Sequence, residues 1–299
     1  MSHAHKHSIN SPSRKLGLAI ALNVVIVGVE IAGGFSAGSL SLLSDALHNF
    51  SDVFSLVISF LALVLAGRQR SESRTFGYKR AEILAVLGNS AILVVVSFQL
   101  FKAVVERGAH SSPVNGFLMM LIASLGLAVN GASALLLKNA SHNNLNIRSS
   151  YLHLISDALT SLAVIVGGFF VHILGWTWVD SMLTVVIGVF VLAQGVRMLN
   201  QAVHILMQNA PEGLDVSELK RAVENIPGVR NIHHVHVWRL ADQDVHCEAH
   251  INLAEDVPVS RTTELKNALG DLLKMRFQIT HATFQFEFNA CEGVPLVNP

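Results

Sequence analysis

Two pairs of side chains stand out: His48 with Asp52, and His153 with Asp157. Each joins an imidazole to a carboxylate four residues further on, inside an apolar run. Residues four apart on a helix share a face, with Cβ atoms about 5–6 Å apart. If the two helices face one another, the four side chains close a tetrahedral site with two nitrogen and two oxygen donors, the coordination number zinc prefers. Two carboxylates neutralise a dication, and the lack of thiolates suits a site that must release its metal. One such pair alone would read as a hydrogen-bonded couple locking helices together. Two pairs at one spacing in separate apolar runs favour metal, because an Asp at the centre of a membrane helix costs roughly 2.5–3.5 kcal/mol.

Other ionisable groups fall in the same apolar setting. Asp45 shares the helix face of His48 and Asp52 but lies nearer the helix end, so it is expected behind the ligands or at the cavity mouth. Glu30 reads either as a proton carrier or as a polar contact to a neighbouring helix, through Asn23 or Asn130. Asp180 follows an uncharged outer loop and is expected to cap the sixth helix. His172 and His204 sit near span ends, where no special role is required.

These residues need long apolar elements to hold them, and the composition supplies them. Of 299 residues, 51% are hydrophobic and 14% charged, against about 25% charged in ordinary soluble domains; the mean hydropathy is +0.48. Apolar runs centre near 16–35, 40–66, 82–105, 115–137, 147–171 and 178–200, each long enough to cross a bilayer in about 20 residues. The first is expected to be a span and not a cleavable signal, since a second follows at once. One set of flanks carries 11 Lys and Arg, including Lys6, Arg68, Lys79, Lys138 and Arg197, and the alternate set only Lys102 and Arg107. That asymmetry places both termini in the cytoplasm.

The net charge of zero hides a balance of +5 in residues 1–207 and −5 in 208–299. The acidic tail reads as a small α/β unit. Two helical stretches, opening at Asp215 and Ser260 as N-caps, flank segments near 231–239, 245–253 and 281–288 that alternate with period two. The expected fold is therefore membrane α-helical: a six-transmembrane-helix bundle with a cytoplasmic C-terminal domain of order αββαβ, an open-faced, metallochaperone-like sandwich. The divisions are an N-terminal tail at 1–13 carrying His3, His5 and His7, a transport domain at 14–207 and the C-terminal domain at 208–299. With two cysteines, Cys247 and Cys291, neither a disulfide scaffold nor a Cys₄ zinc site fits one chain. Cys247 alternates inward, toward the core. Fifteen histidines hint at metal.

Taken together, SLLSDALHNFSD in the second span, FGYKRAEILAVLGN entering the third and LNIRSSYLHLISDALTS in the fifth resemble the cation diffusion facilitators, as do HVHVW and ITHATFQFE in the tail. The likeness runs from Leu16 to about Cys291 and is close to the bacterial zinc branch of the family. It implies a proton-coupled transporter whose cargo site is His48, Asp52, His153 and Asp157, with the histidine at the first position going with zinc preference. It also implies a hydrophobic gate at Leu152, and a homodimer whose tails bind zinc at His233, His250 and His281, with Glu287 as a further candidate. Alternation puts His250, His281 and Glu287 on one polar face, where His246 competes. His233 has the opposite parity to His234 and His236, which leaves the choice among those three open. The chain departs from the family's iron/zinc members at RQRSESRTFGYKR, where no metal site is expected. It also lacks the long His-rich loop of eukaryotic relatives, keeping only His142.

The expected function is a Zn²⁺/H⁺ antiporter, with cadmium or cobalt as alternative cargo and a tail that senses zinc. It is not an enzyme, it has no nucleic-acid partner, and a bacterial inner membrane is the expected location. An intramembrane zinc hydrolase would need an open coordination position and a separate base, and no HExxH motif occurs. A passive channel conflicts with a tight four-ligand site. A sensor without transport would not need a buried, costly intramembrane site.

Overall fold

The computed structural model describes residues 12–66, 71–109, 113–141, 145–241, 244–289 and 296. Six helices come first: α1 (Pro12–Ala37), α2 (Leu40–Ala66), α3 (Ala81–Ala109), α4 (Gly116–Ser141), α5 (Leu145–Leu174) and α6 (Trp178–Leu206). Four stretches of the described residues are long and apolar enough to cross a membrane: Ala81–Gly108, Gly116–Leu135, Tyr151–Leu174 and Trp178–Leu206. They carry exposed Val95, Phe98, Leu121, Phe169, Val186 and Val189 on their outer faces, as helices solvated by lipid must. Leu42, Leu93, Met119, Ala123, Val164 and Val191 are buried at the centre. The chain divides into two compact units, one of Met1–Leu61 with Val86–Leu199, the other of Ala62–Ala85 with Asn200–Pro299.

In lipid, helices gain little from burying apolar area against each other, so small residues that allow close contact matter. A Cβ added at Gly116 would lie 2.5 Å from the carbonyl oxygen of Gly168, and one at Gly168 would lie 2.9 Å from that of Gly116. These two glycines set how closely α4 and α5 approach. α5 is the helix that carries His153 and Asp157.

Asp180 departs from expectation. It lies in the first turn of α6, not ahead of it, and the helix it caps is α2. Its carboxylate accepts from the backbone N–H groups of Leu40 at 3.0 Å and Ser41 at 3.2 Å. It also accepts from the hydroxyls of Ser39 at 2.7 Å and Ser41 at 2.6 Å. Arg107 from the end of α3 donates to it at 2.6 Å and to the Gly38 carbonyl at 2.7 Å. The first N–H groups of a helix have no intrahelical acceptor, and a carboxylate there also meets the positive end of the helix dipole. In an apolar interior that role outweighs capping its own helix.

The tail contains α7 (Val216–Glu224), β1 (Val229–Ala241), β2 (Asp244–Leu253), α8 (Val259–Phe277) and β3 (His281–Phe288). The sheet order is β1-β2-β3, with β1 antiparallel and β3 parallel to β2. Asp215 caps α7, accepting from the Ser217 N–H at 2.8 Å. α8 instead begins after Pro258 with no side-chain cap, and Ser260 lies inside its first turn. Leu219 and Val223 of α7 and Leu269 and Leu273 of α8 cover Ile232, Val237, Cys247, Ala249 and Ile251 on one sheet face. Burial of the Cys247 thiol pushes its pKa up to about 12, which suits a core residue and no ligand. The other face carries the histidines.

Candidate metal centres

Helical period brings the four side chains from α2 and α5 to one place. One ligand atom from each of His48, Asp52, His153 and Asp157 lies within 4.8 Å of all the others. His48 Nε2 is 3.7 Å from Asp52 Oδ2 and 3.2 Å from Asp157 Oδ1. His153 Nε2 is 3.1 Å from Asp52 Oδ2 and 3.7 Å from Asp157 Oδ2. Bonds of 2.0–2.2 Å to a tetrahedral zinc imply donor–donor edges of about 3.3–3.6 Å, which these distances bracket. His48 Nε2 and Asp157 Oδ1 share a hydrogen bond at 3.2 Å, whereas among the described residues Asp52 Oδ2 is buried with no hydrogen-bond partner despite its near nitrogens, a lone pair that an ion could take. The pair across the helices, His48 and Asp157, is buried at 4% and 6% side-chain exposure. Asp52 and His153 are open at 26% and 42%. The centre is thus closed on one side and accessible on the other. Phe190 of α6 places its ring edge-on to His48, with centroids 5.7 Å apart.

Beside this centre lies a second polar group drawn from four helices. Glu30 of α1 is buried and accepts from Asn49 Nδ2 at 2.8 Å, where contact to Asn23 or Asn130 was expected. Asp45 of α2 is fully buried and accepts from the Ser161 hydroxyl of α5 at 3.3 Å. A Cβ on Gly126 of α4 would lie 2.6 Å from Glu30 Oε1 and 3.2 Å from Ser161 Oγ. Glu30 Oε1 and Asp45 Oδ1 lack hydrogen-bond partners among the described residues. Asn49, Gly126 and Ser161 were not singled out from sequence. Asn49 and Ser161 follow the ligand helices at helical spacing, the one signal that could have found them. Leu152 stands next to His153 and is 55% exposed.

In the tail, His233, His250 and Glu287 come together, with ligand atoms within 4.8 Å of one another. His233 Nε2 is 3.3 Å from Glu287 Oε2, and His250 Nδ1 is 2.9 Å from Glu287 Oε1. His233 Nε2 and Glu287 Oε2 are buried without hydrogen-bond partners among the described residues. That leaves two uncommitted donors facing each other where an ion fits. A β-bulge accounts for the phase of the three neighbouring histidines. His233 pairs with His250 and His236 with Glu248, so β1 spends one residue more than β2, and His234 takes up the excess at φ +52°. Both His233 and His236 then project on the polar face. His281 does not join this group. It lies in register with His246, ring centroids 4.8 Å apart. His3, His5, His7, His142 and Cys291 lie outside the described residues.

Residues 16–207 match the family model for the cation efflux transmembrane domain, and residues 211–288 match that for the cation efflux protein, cytoplasmic domain. The zinc transporter ZitB of Escherichia coli (strain K12) is 35% identical over 300 residues, covering 98% of this chain and 95% of its own length. The cadmium, cobalt and zinc/H(+)-K(+) antiporter of Bacillus subtilis (strain 168) is 33% identical over 292 residues, covering 97% and 93%. Among solved structures, the metal-bound C-terminal domain of the CzcD transporter shares 31% identity over 25% of this chain and 99% of its own, with a TM-score of 0.23.

Proposed function

The chain belongs to the cation efflux family, and from that membership we propose that it exports zinc from the cytoplasm in exchange for protons. The observation that carries the proposal is the cluster of two imidazoles and two carboxylates, four ligand atoms within 4.8 Å contributed by α2 and α5 alone. His48, Asp52, His153 and Asp157 bind the ion, and Leu152 beside them gates it. Zinc binds only neutral imidazole. Protonation of His48 and His153 on the far side therefore expels the metal, and the protonated site returns. Cadmium and cobalt, named for the Bacillus relative, are the alternative cargoes. Transport uphill requires that the two faces differ in affinity.

In this reading α1 and α2 complete a bundle of six spans with both termini in the cytoplasm, and the tail is an αββαβ sandwich. The accessible Asp52 and His153 lie toward the helix ends assigned to the cytoplasm, which supports entry of the ion from that side. Glu30 and Asp45, buried with uncommitted oxygens, form a proton path beside the metal site. The tail joins two chains into a homodimer and senses zinc at His233, His250 and Glu287. The protein works in a bacterial inner membrane and catalyses no chemical conversion.

Proteoliposomes under an imposed pH gradient test the proposal. Zinc uptake should follow the gradient in the parent and fall to background in Asp52→Ala and Asp157→Ala. Uptake indifferent to the gradient would indicate a facilitator, and unchanged mutants would return the pairs to a structural role. A tail-deleted chain that keeps full activity at every zinc level would remove the sensing role.

A further inference from the structure

The polar face of the tail sheet holds a group that the proposed function does not use. Asp244 Oδ1 lies 3.5 Å from His246 Nε2, close to the edge of about 3.3–3.6 Å expected around a tetrahedral zinc. His281 of β3 pairs in register with His246 of β2, with rings 4.8 Å apart, and it is exposed. The His246 side chain is only 7% exposed. Trp238 stacks on it at 5.5 Å and Phe76 meets it edge-on at 5.8 Å. Its Nε2 has no hydrogen-bond partner among the described residues. A buried ring nitrogen left uncommitted beside a carboxylate calls for an explanation.

The electrostatics suit a cation. Burial above all holds the His246 pKa below its ordinary value, with the neighbouring His281 adding to the effect, so the ring is a neutral donor. Burial alone would raise Asp244, but hydrogen bonds from Lys79 and Thr280 outweigh it and keep the carboxylate below its usual range. Lys79 holds Oδ2, and Thr280 Oγ1 donates to Oδ1 at 3.0 Å, which leaves Oδ1 turned toward His246. His246 and His250 are four residues apart on β2, about 13 Å of strand at 3.3 Å per residue. One ion cannot serve both.

We propose that Asp244, His246 and His281 form a second tail site for a zinc-type divalent cation, separate from His233, His250 and Glu287. Its donors are two imidazoles and one carboxylate, the fourth position being open to water. The site does not depend on transport. It is tied to the segment leading into α3, because Lys79 shares the Asp244 carboxylate with the bound ion. Loading the site weakens the hold of Lys79, and by reciprocity removing Lys79 strengthens metal binding.

The full-length chain, purified in detergent and stripped of metal, would be dialysed against buffered free zinc and its zinc content measured. His281→Gln and Asp244→Asn should each lose one ion per chain, His250→Gln should lose one independently, and the His250→Gln/His281→Gln double variant should lose two. Lys79→Met should bind the ion at this site roughly fivefold or more tightly. His281 is exposed, so its variant tests the site without disturbing the core. An unchanged zinc content in His281→Gln would overturn the proposal. So would a double variant that loses no more than either single one, because the two histidines would then share one ion. A Lys79→Met chain with unaltered or weaker affinity would overturn the coupling.

Discussion

His48, Asp52, His153 and Asp157 in the helices, and His233, His250 and Glu287 on the sheet, present the same imidazole and carboxylate donors on two kinds of backbone. In the helices each half-site comes from one element at i and i+4, and the backbone alone guarantees that its two members share a face. On the sheet each residue comes from a different place in the chain, and register decides which face it takes. There the register shift at His234 resets the parity of the stretch from His236 to Arg239 in β1. The two regions also treat charge differently. Arg107 with Asp180 in the membrane unit and Arg276 with Glu218 in the tail are both 2.6 Å apart. The first pair is 13% and 0% exposed and the second 53% and 46%. Distance is the same in both, so environment must set their worth.

The contrast is sharpest at Asp180. Asp180→Asn should lower the stability of the membrane unit by about 3–5 kcal/mol, because it leaves Arg107 buried without its counter-charge; thermal unfolding in detergent would read it. A loss under about 1 kcal/mol would break the comparison. Next comes the bulge. His234→Val, β-branched and forced into a left-handed conformation, should cost roughly 1–2 kcal/mol and weaken zinc at the tail site by about tenfold. His234→Gly, which keeps the bulge, should retain both, and neither variant should alter zinc transport through the membrane site at saturating zinc. Equal zinc affinity in the Val and Gly chains would mean that the bulge does not position His233. The smallest effect belongs to Glu218→Gln, expected to cost under about 1 kcal/mol and to shrink further in salt, as chemical unfolding of the full chain would show.

Hydropathy made the membrane domain legible, and period-two alternation did the same for a tail with a small sheet. The spacing of His48 with Asp52 and His153 with Asp157 picked out the side chains that the structure gathers together, because helical period needs no tertiary information. Glu30 and Asp45 were visible as costly charges, but their neighbours were not. Whether Asn49, Gly126 or Ser161 meets them depends on which helix faces which, and hydropathy is blind to that. Asp180 at the start of a helix reads as that helix's own cap. The donors it takes from the start of α2 lie 139 to 141 positions away in the chain. His233 looked out of phase because alternation assumes an unbroken ladder, and no residue in HHVHVW announces the bulge; Gly or Asn would have done so.

Asp180 also imposes an order of events during synthesis. The first N–H groups of α2 and the hydroxyls of Ser39 and Ser41 find their acceptor on α6, and its companion Arg107 comes with α3. Until the ribosome has made α6, the N-terminal end of α2 has polar groups that lipid cannot satisfy. It must stay at the wet surface or in the insertion machinery. Final seating of the helix that carries His48 and Asp52 therefore awaits the last of the six helices, so a chain truncated before Asp180 would leave these two side chains on a helix that has not yet settled.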